Sequence, residues 1–207
     1  MARGSLGIFL LLALAFGSFG QRTGTPGVFD YYVLNLSWSP EYCYSNSSNV
    51  ECTAGHHFGF IVHGLWPEFQ NGSYPENCSN AAGLSNPGSM LDIMPDPGLI
   101  RHEWETHGTC SGLSAQAYFD LVRKAFTSIS IPPDFTNPTH PLTLSPTQLK
   151  ADFEQANPKL QDGDLMISCS RGYLKAIEVC LTKSLAPMAC PAARSCTSRT
   201  IRVPPVR

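Results

Sequence analysis

Eight cysteines constrain what this chain can fold into more than any other feature: Cys43, Cys52, Cys78, Cys110, Cys169, Cys180, Cys190 and Cys196. An even number following an N-terminal targeting segment reads as a disulfide framework built in an oxidising compartment. None are spaced C-x-x-C, so a structural zinc site is not expected. Eight cysteines allow on the order of a hundred pairings, and the sequence itself does not choose among them.

The targeting segment is legible residue by residue. Arg3 supplies a positive start, Ile8 to Phe16 is an unbroken apolar run, and Ser18 and Gly20 are small residues suited to cleavage after Gly20. The run falls short of the roughly 20 residues needed to span a bilayer, and no other segment is a candidate. Residues 1–20 are therefore expected to be a signal peptide and 21–207 one domain, secreted or periplasmic, with no membrane attachment once the signal is gone. That length is enough to bury a substantial core. Without Arg3, 13 of the 14 basic residues remain against 16 acidic ones. A mildly acidic chain does not hold nucleic acid through a broad basic face, though it can grip a phosphate in a cleft. Asn35, Asn46, Asn71 and Asn77 begin glycosylation sequons, usable only in a eukaryotic secretory pathway.

Local patterning gives the elements. VFDYYVLNLSW (28–38) reads as a strand stopped by Pro40, and HFGFIVHGLWP (57–67) as a second strand closed by Pro67. Residues 41–56 are polar, hold two cysteines and read as a stapled loop; 68–90 read as a long surface loop. Asp96 suits an N-cap, Pro97 the first helical position and Gly108 the stop of a helix between them. From Ser114 to Ser130, Tyr118, Leu121, Val122, Ala125, Phe126 and Ile129 follow the i, i+3, i+4 rule of an amphipathic helix. A third helix starts at Ser145 and Pro146, with Leu149 and Phe153 on one side. DLMISCS and YLKAIEVCL flank Arg171-Gly172 as a hairpin. Helices and strands do not alternate regularly, so the expected fold is α+β with a helix-backed, mainly antiparallel sheet.

Two segments concentrate chemistry. In LIRHEWETHGTC (99–110), His102 and His107 are five apart, which puts them about 140° from each other on a helix. That is not the four-residue spacing of a zinc-protease helix, and no metal is expected. Glu103 and His107, at i and i+4, do share a face. A carboxylate beside an imidazole orients it and raises its proton affinity. In FIVHGLWPEF (60–69), His63 sits in an apolar run, and Gly64 permits a bulge or a close backbone approach. Taken alone, His63 reads as a satisfied core histidine, and Trp66 and Phe69 as packing residues.

Together FIVHGLWP and HEWETHGTC resemble the two active-site segments of the ribonuclease T2 family, in the family's order. Looser similarity runs from about residue 28 to 200. The resemblance implies an α+β fold and metal-independent cleavage of RNA with little base specificity, giving 2′,3′-cyclic phosphate ends. Carried onto matching positions, it makes His107 the base and His63 the acid. His102 becomes the phosphate binder, and Glu103 assists at the transition state. Two histidines in these roles favour mildly acidic pH. RNA is the expected partner, with no cofactor, no stable protein partner and a monomeric chain.

The resemblance also implies a base site of Trp66, Glu68 and Tyr74, where an aromatic face stacks on any base for about 1–3 kcal/mol. It implies the disulfides Cys43–Cys52, Cys78–Cys110, Cys169–Cys196 and Cys180–Cys190. One position departs from the pattern. The family's usual Lys before the last histidine is Thr106 here, which brings a hydroxyl but no charge. Arg101, five positions away, points elsewhere on an ideal helix. The departure motivates an alternative: a weak or inactive RNA-binding or signalling protein on the same scaffold.

Overall fold

Alternating apolar residues in the stretch 31–38 build the strand around which the molecule is organised. A computed structural model describes residues 24–53, 57–191 and 195–206; the expected signal peptide lies outside them. In chain order the elements are β1 (Tyr31–Trp38), α1 (Ser39–Ser45), β2 (Phe60–Glu68), α2 (Pro97–Thr106), α3 (Ala115–Thr127), β3 (Leu142–Leu144), α4 (Pro146–Ala156), β4 (Leu165–Ser170), β5 (Tyr173–Leu181) and β6 (Ile201–Val203). The sheet runs β2-β1-β5-β6-β3, with β4 also paired to β5. Every pairing is antiparallel except the single β5–β6 contact, Tyr173 with Arg202. The fold is α+β with a helix-backed, mainly antiparallel sheet, as the sequence led us to expect.

Strand periodicity gives the sheet two different faces. Tyr32, Leu34, Leu36 and Trp38 enter the main core with Val62 and Leu65 of β2, Ile100 and Trp104 of α2, Tyr118 and Val122 of α3, and Leu149 and Phe153 of α4. Each fully buried aliphatic or aromatic side chain there contributes about 1.5–3 kcal/mol. Tyr31 and Val33 face the other way and form a small second cluster with Met166 and Cys180, against which Trp66 packs. Asn35 and Ser37 continue this second face.

The helix signals are caps in the literal sense. Asp96 accepts a hydrogen bond from Gly98 N at 2.6 Å, and Ser114 and Ser145 accept from Ala117 N and Gln148 N. Three boundaries differ from the sequence reading. Pro40 ends β1 by opening α1, so the expected loop starts with a helix, with a short 3₁₀ turn at Val50–Cys52. Pro67 lies inside β2, which tolerates it because β2 is an edge strand, with a strand paired on one side only among the described residues. The helix before Gly108 ends at Thr106, and Gly108 opens a 3₁₀ turn that closes at left-handed Gly112 (φ 77°). A Cβ on Gly108 would press on Trp104 Cε3 at 2.5 Å.

Four disulfides fasten these pieces: Cys43–Cys52, Cys78–Cys110, Cys169–Cys196 and Cys180–Cys190. The second ties the loop after β2 to the turn that follows α2. Of the four sequons, Asn35 is buried in β1 with its amide donated to Glu178, so it cannot carry a glycan.

Candidate active site

His63 is delivered by an irregularity in the sheet. Asn35 pairs with Gly64 and Leu36 with Val62, so the ladder skips His63 and bulges there. A bulge re-aims a side chain, here out of the apolar run that suggested a core histidine. His63 keeps 41% of its side-chain surface exposed, and its edge is open to a ligand. Helix α2 lies against this strand and brings Glu103 to it. Glu103 Oε2 accepts from Trp66 Nε1 at 2.7 Å, while Oε1 lies 3.4 Å from His63 Nε2. Gly64 makes the approach possible, because a Cβ there would collide with Glu103 Oε2 and Trp66 Nε1.

The last residue of the cluster sits where α2 stops. His107 caps the helix, its N–H still bonded to Glu103 O at 3.0 Å. Its ring is 5.4 Å from that of Trp66 and 6.1 Å from that of Tyr74; the His63 ring meets the same indole at 5.6 Å. Both imidazoles thus adjoin one tryptophan, whose indole is bonded to the buried Glu103 carboxyl. His107 Nδ1 and Glu103 Oε1 are both buried and without hydrogen-bond partners. Such atoms cost stability and persist where a substrate completes their bonding.

Burial controls the charges. It pushes Glu103 up to about 8, and the Trp66 hydrogen bond offsets only part of that. It pushes His63 down to about 4, helped by the positive neighbours His102 and Lys175. His107 falls to about 4 for the same reason, with His102 and His63 adding to it. Burial thus favours the neutral form of both partners, a protonated Glu103 facing an unprotonated His63 Nε2. An incoming phosphate reverses the balance, because a nearby negative charge favours imidazolium.

His102 stands exposed at the rim, with Nδ1 3.4 Å from Thr106 Oγ1. Arg101 lines a cavity of about 680 Å³ with Ile100, Trp104 and Glu105, on another side of α2. It does not replace a lysine at position 106. Trp66, Glu68 and Tyr74 come together in a pocket of about 130 Å³ that also includes Tyr31, Met166 and Glu178. On the far side of His63, a cavity of about 370 Å³ is lined by Ser37, Tyr42, Glu51, Leu99 and His102. Among the described residues no group of three or more His, Cys, Asp or Glu side chains is arranged to hold a metal.

Three contributors were missed in the sequence. Ser37 Oγ lies 3.2 Å from His63 Nδ1, Ser37 donates to Asn35 Oδ1 at 3.2 Å, and Asn35 donates to Glu178 Oε1 at 3.1 Å. The available signal was two polar residues at alternate positions of the otherwise apolar YYVLNLSW.

A model of the ribonuclease T2 family matches residues 29–190. A ribonuclease of Aeromonas hydrophila is 42% identical over 113 residues, 54% of this chain and 52% of that one. Ribonuclease DdI of Dictyostelium discoideum is 32% identical over 205 residues, covering 88% and 90% of the two chains. The match thus spans about half of the first relative and nearly all of the second. Among solved structures, RNase NT in complex with 5′-AMP superposes with a TM-score of 0.64 at 25% identity, over 86% of this chain and 98% of that one.

Proposed function

The chain belongs to the ribonuclease T2 family, and from that premise we propose that it is a metal-independent endoribonuclease that cleaves single-stranded RNA by transesterification. The observation that carries this is the pair of imidazoles that both adjoin Trp66, whose indole donates to the buried Glu103. The base pocket of Trp66, Glu68 and Tyr74 adjoins His107. A nucleotide stacked there brings its ribose 2′-hydroxyl toward His107. The phosphate then lies toward His102 and His63, and the departing nucleoside toward the cavity beyond His63. His107 takes the 2′-proton as O2′ attacks phosphorus. His63 gives a proton from Nε2 to O5′ as the P–O5′ bond breaks, leaving a 2′,3′-cyclic phosphate and a 5′-hydroxyl. Glu103 and His102 support the phosphorane-like centre. Stacking sets little base preference, in keeping with broad specificity.

A non-catalytic RNA-binding role has less support. A binder gains nothing from burying a carboxyl oxygen and an imidazole nitrogen without partners. Cleavage of residues 1–20, secretion or periplasmic location, one domain over 21–207 and a monomeric state complete the proposal; four disulfides accord with an oxidising compartment.

The test uses oxidised residues 21–207, a mixed-sequence RNA oligonucleotide, pH 5 and pH 7, EDTA throughout, and product analysis by mass spectrometry. We expect fragments ending in 2′,3′-cyclic phosphate. His63→Ala and His107→Ala should each lower the rate by about 10²–10⁴-fold while the proteins remain folded. A folded variant of either kind with full activity rules out the assignment.

A further inference from the structure

Behind His63 a line of side chains crosses three adjacent strands on the second face of the sheet. His63 on β2 meets Ser37 on β1 through Nδ1 at 3.2 Å; Ser37 donates to Asn35 at 3.2 Å; Asn35 donates to Glu178 on β5 at 3.1 Å. Asn35 is 5% exposed, in register with Gly64 on one side and Glu178 on the other. Two polar residues in the central strand carry a desolvation cost that apolar ones would not.

The direction of this line follows from donor chemistry. An amide nitrogen only donates, so Asn35 Nδ2 faces the Glu178 oxygen and Oδ1 is left for Ser37. A hydroxyl has one proton, and Ser37 spends it on Asn35 Oδ1. Only its lone pair remains for His63, and a lone pair can be met only by Nδ1–H. We propose that Ser37 and Asn35 are positioning residues that hold His63 in the Nδ1-protonated tautomer, reserving Nε2 as the nitrogen that delivers the proton to the leaving oxygen.

The consequence is a ring with one working nitrogen. When His63 is neutral, Nε2 bears the lone pair and faces Glu103 Oε1 at 3.4 Å. When it gains a proton, the new N–H is on Nε2. When O5′ takes that proton, the Nδ1–H bond to Ser37 still holds the ring in place. The charged and titratable groups near the ring are Glu103 and His102 from α2, His107 at its end and Lys175 from β5, with Tyr42, Glu51 and Asp96 lining the cavity beside it and Glu178 at the far end of the line. None of them contacts Nδ1, so the tautomer is left to Ser37.

The inference rests on His63 being the acid, and the test separates the two. Two substrates are compared: a dinucleotide, whose 5′-oxygen needs a proton to leave, and a nucleoside 3′-(4-nitrophenyl phosphate), whose phenolate leaves without one. Ser37→Ala should slow dinucleotide cleavage by about 10–100-fold, a loss at least tenfold greater than on the aryl ester. Ser37→Thr, which keeps the hydroxyl, should restore most of it. In the wild-type protein, ¹⁵N NMR at pH 7, assigned with His63→Gln, should find the His63 proton on Nδ1. Equal losses on both substrates, no loss on either, or a proton on Nε2 overturns the inference. If instead His63→Ala slows both substrates alike, the acid assignment fails, while the NMR result still decides whether Ser37 and Asn35 set the tautomer.

Discussion

At Gly64 one added methyl group is enough to disturb the site, because it would occupy the space of Glu103 Oε2 and Trp66 Nε1. We expect Gly64→Ala to cost about 1–3 kcal/mol of stability, as overpacking does, and to lower cleavage at least about 100-fold by separating Glu103 from His63. Urea unfolding and steady-state kinetics on the same preparation check both. Glu103→Gln tests the charge state. Burial raises the Glu103 carboxyl to about 8, above its unfolded value, so its contribution is fully present below about 4.5 and fades as pH rises toward 8. His63 and His107, lowered to about 4, run the other way: their contribution is full above about 6.5 and fades as pH falls toward 4. Glu103→Gln removes only the first trend. Relative to wild type, it should gain more than about 1 kcal/mol between pH 5 and pH 8. A constant difference across that range would mean that Glu103 is ionised in the folded protein throughout. Thr106 is legible as a departure from the family pattern, but only the structure reveals that its hydroxyl neighbours His102 and that Arg101 faces another cavity.

Helix α2 and its C-cap, His107, contribute three of the four residues expected to carry the chemistry, and the two ends of the helix are fixed differently. Asp96 caps the start. The finish is held by the turn 108–111 and by Cys78–Cys110, which closes a separation of 32 residues and anchors the loop that carries Tyr74. Replacing both cysteines with serine should cost about 3–4 kcal/mol by chain entropy. It should also raise KM more than it lowers kcat, since Tyr74 lines the proposed base pocket. Denaturant midpoints and a KM–kcat comparison read the two effects. The helices with apolar periodicity and a cap, α3 and α4, were legible in the sequence. Helix α1 was not, because seven residues with a proline and a cysteine carry no period long enough to detect. Nor could periodicity place His63: a bulge displaces one residue from the alternation, and that residue then looks like an exception to the core pattern.

The whole molecule is a sheet with helices packed on one face and the proposed site along the other and at its edge. The chain carries a formal net charge of −2, so the proposed RNA substrate is expected to be held in a cleft rather than on a broad basic face. Binding should therefore release few counterions. We expect log kcat/KM to fall with log salt at a slope no steeper than about −2, as for one to three phosphate contacts; a slope near −5 would require a basic surface elsewhere. By itself the sequence determined the disulfide-dependent class, the α+β pattern, the starts of three helices and, through two motifs, the family. Those signals are local, set by neighbours a few residues apart. Only the tertiary structure decided that His63 leaves the core at a bulge, that Gly64 admits Glu103, and that Ser37, Asn35 and Glu178 line up behind the ring. Each of these depends on strands or helices far apart in sequence meeting in one register, and on a low-dielectric setting that exists only once they have packed together.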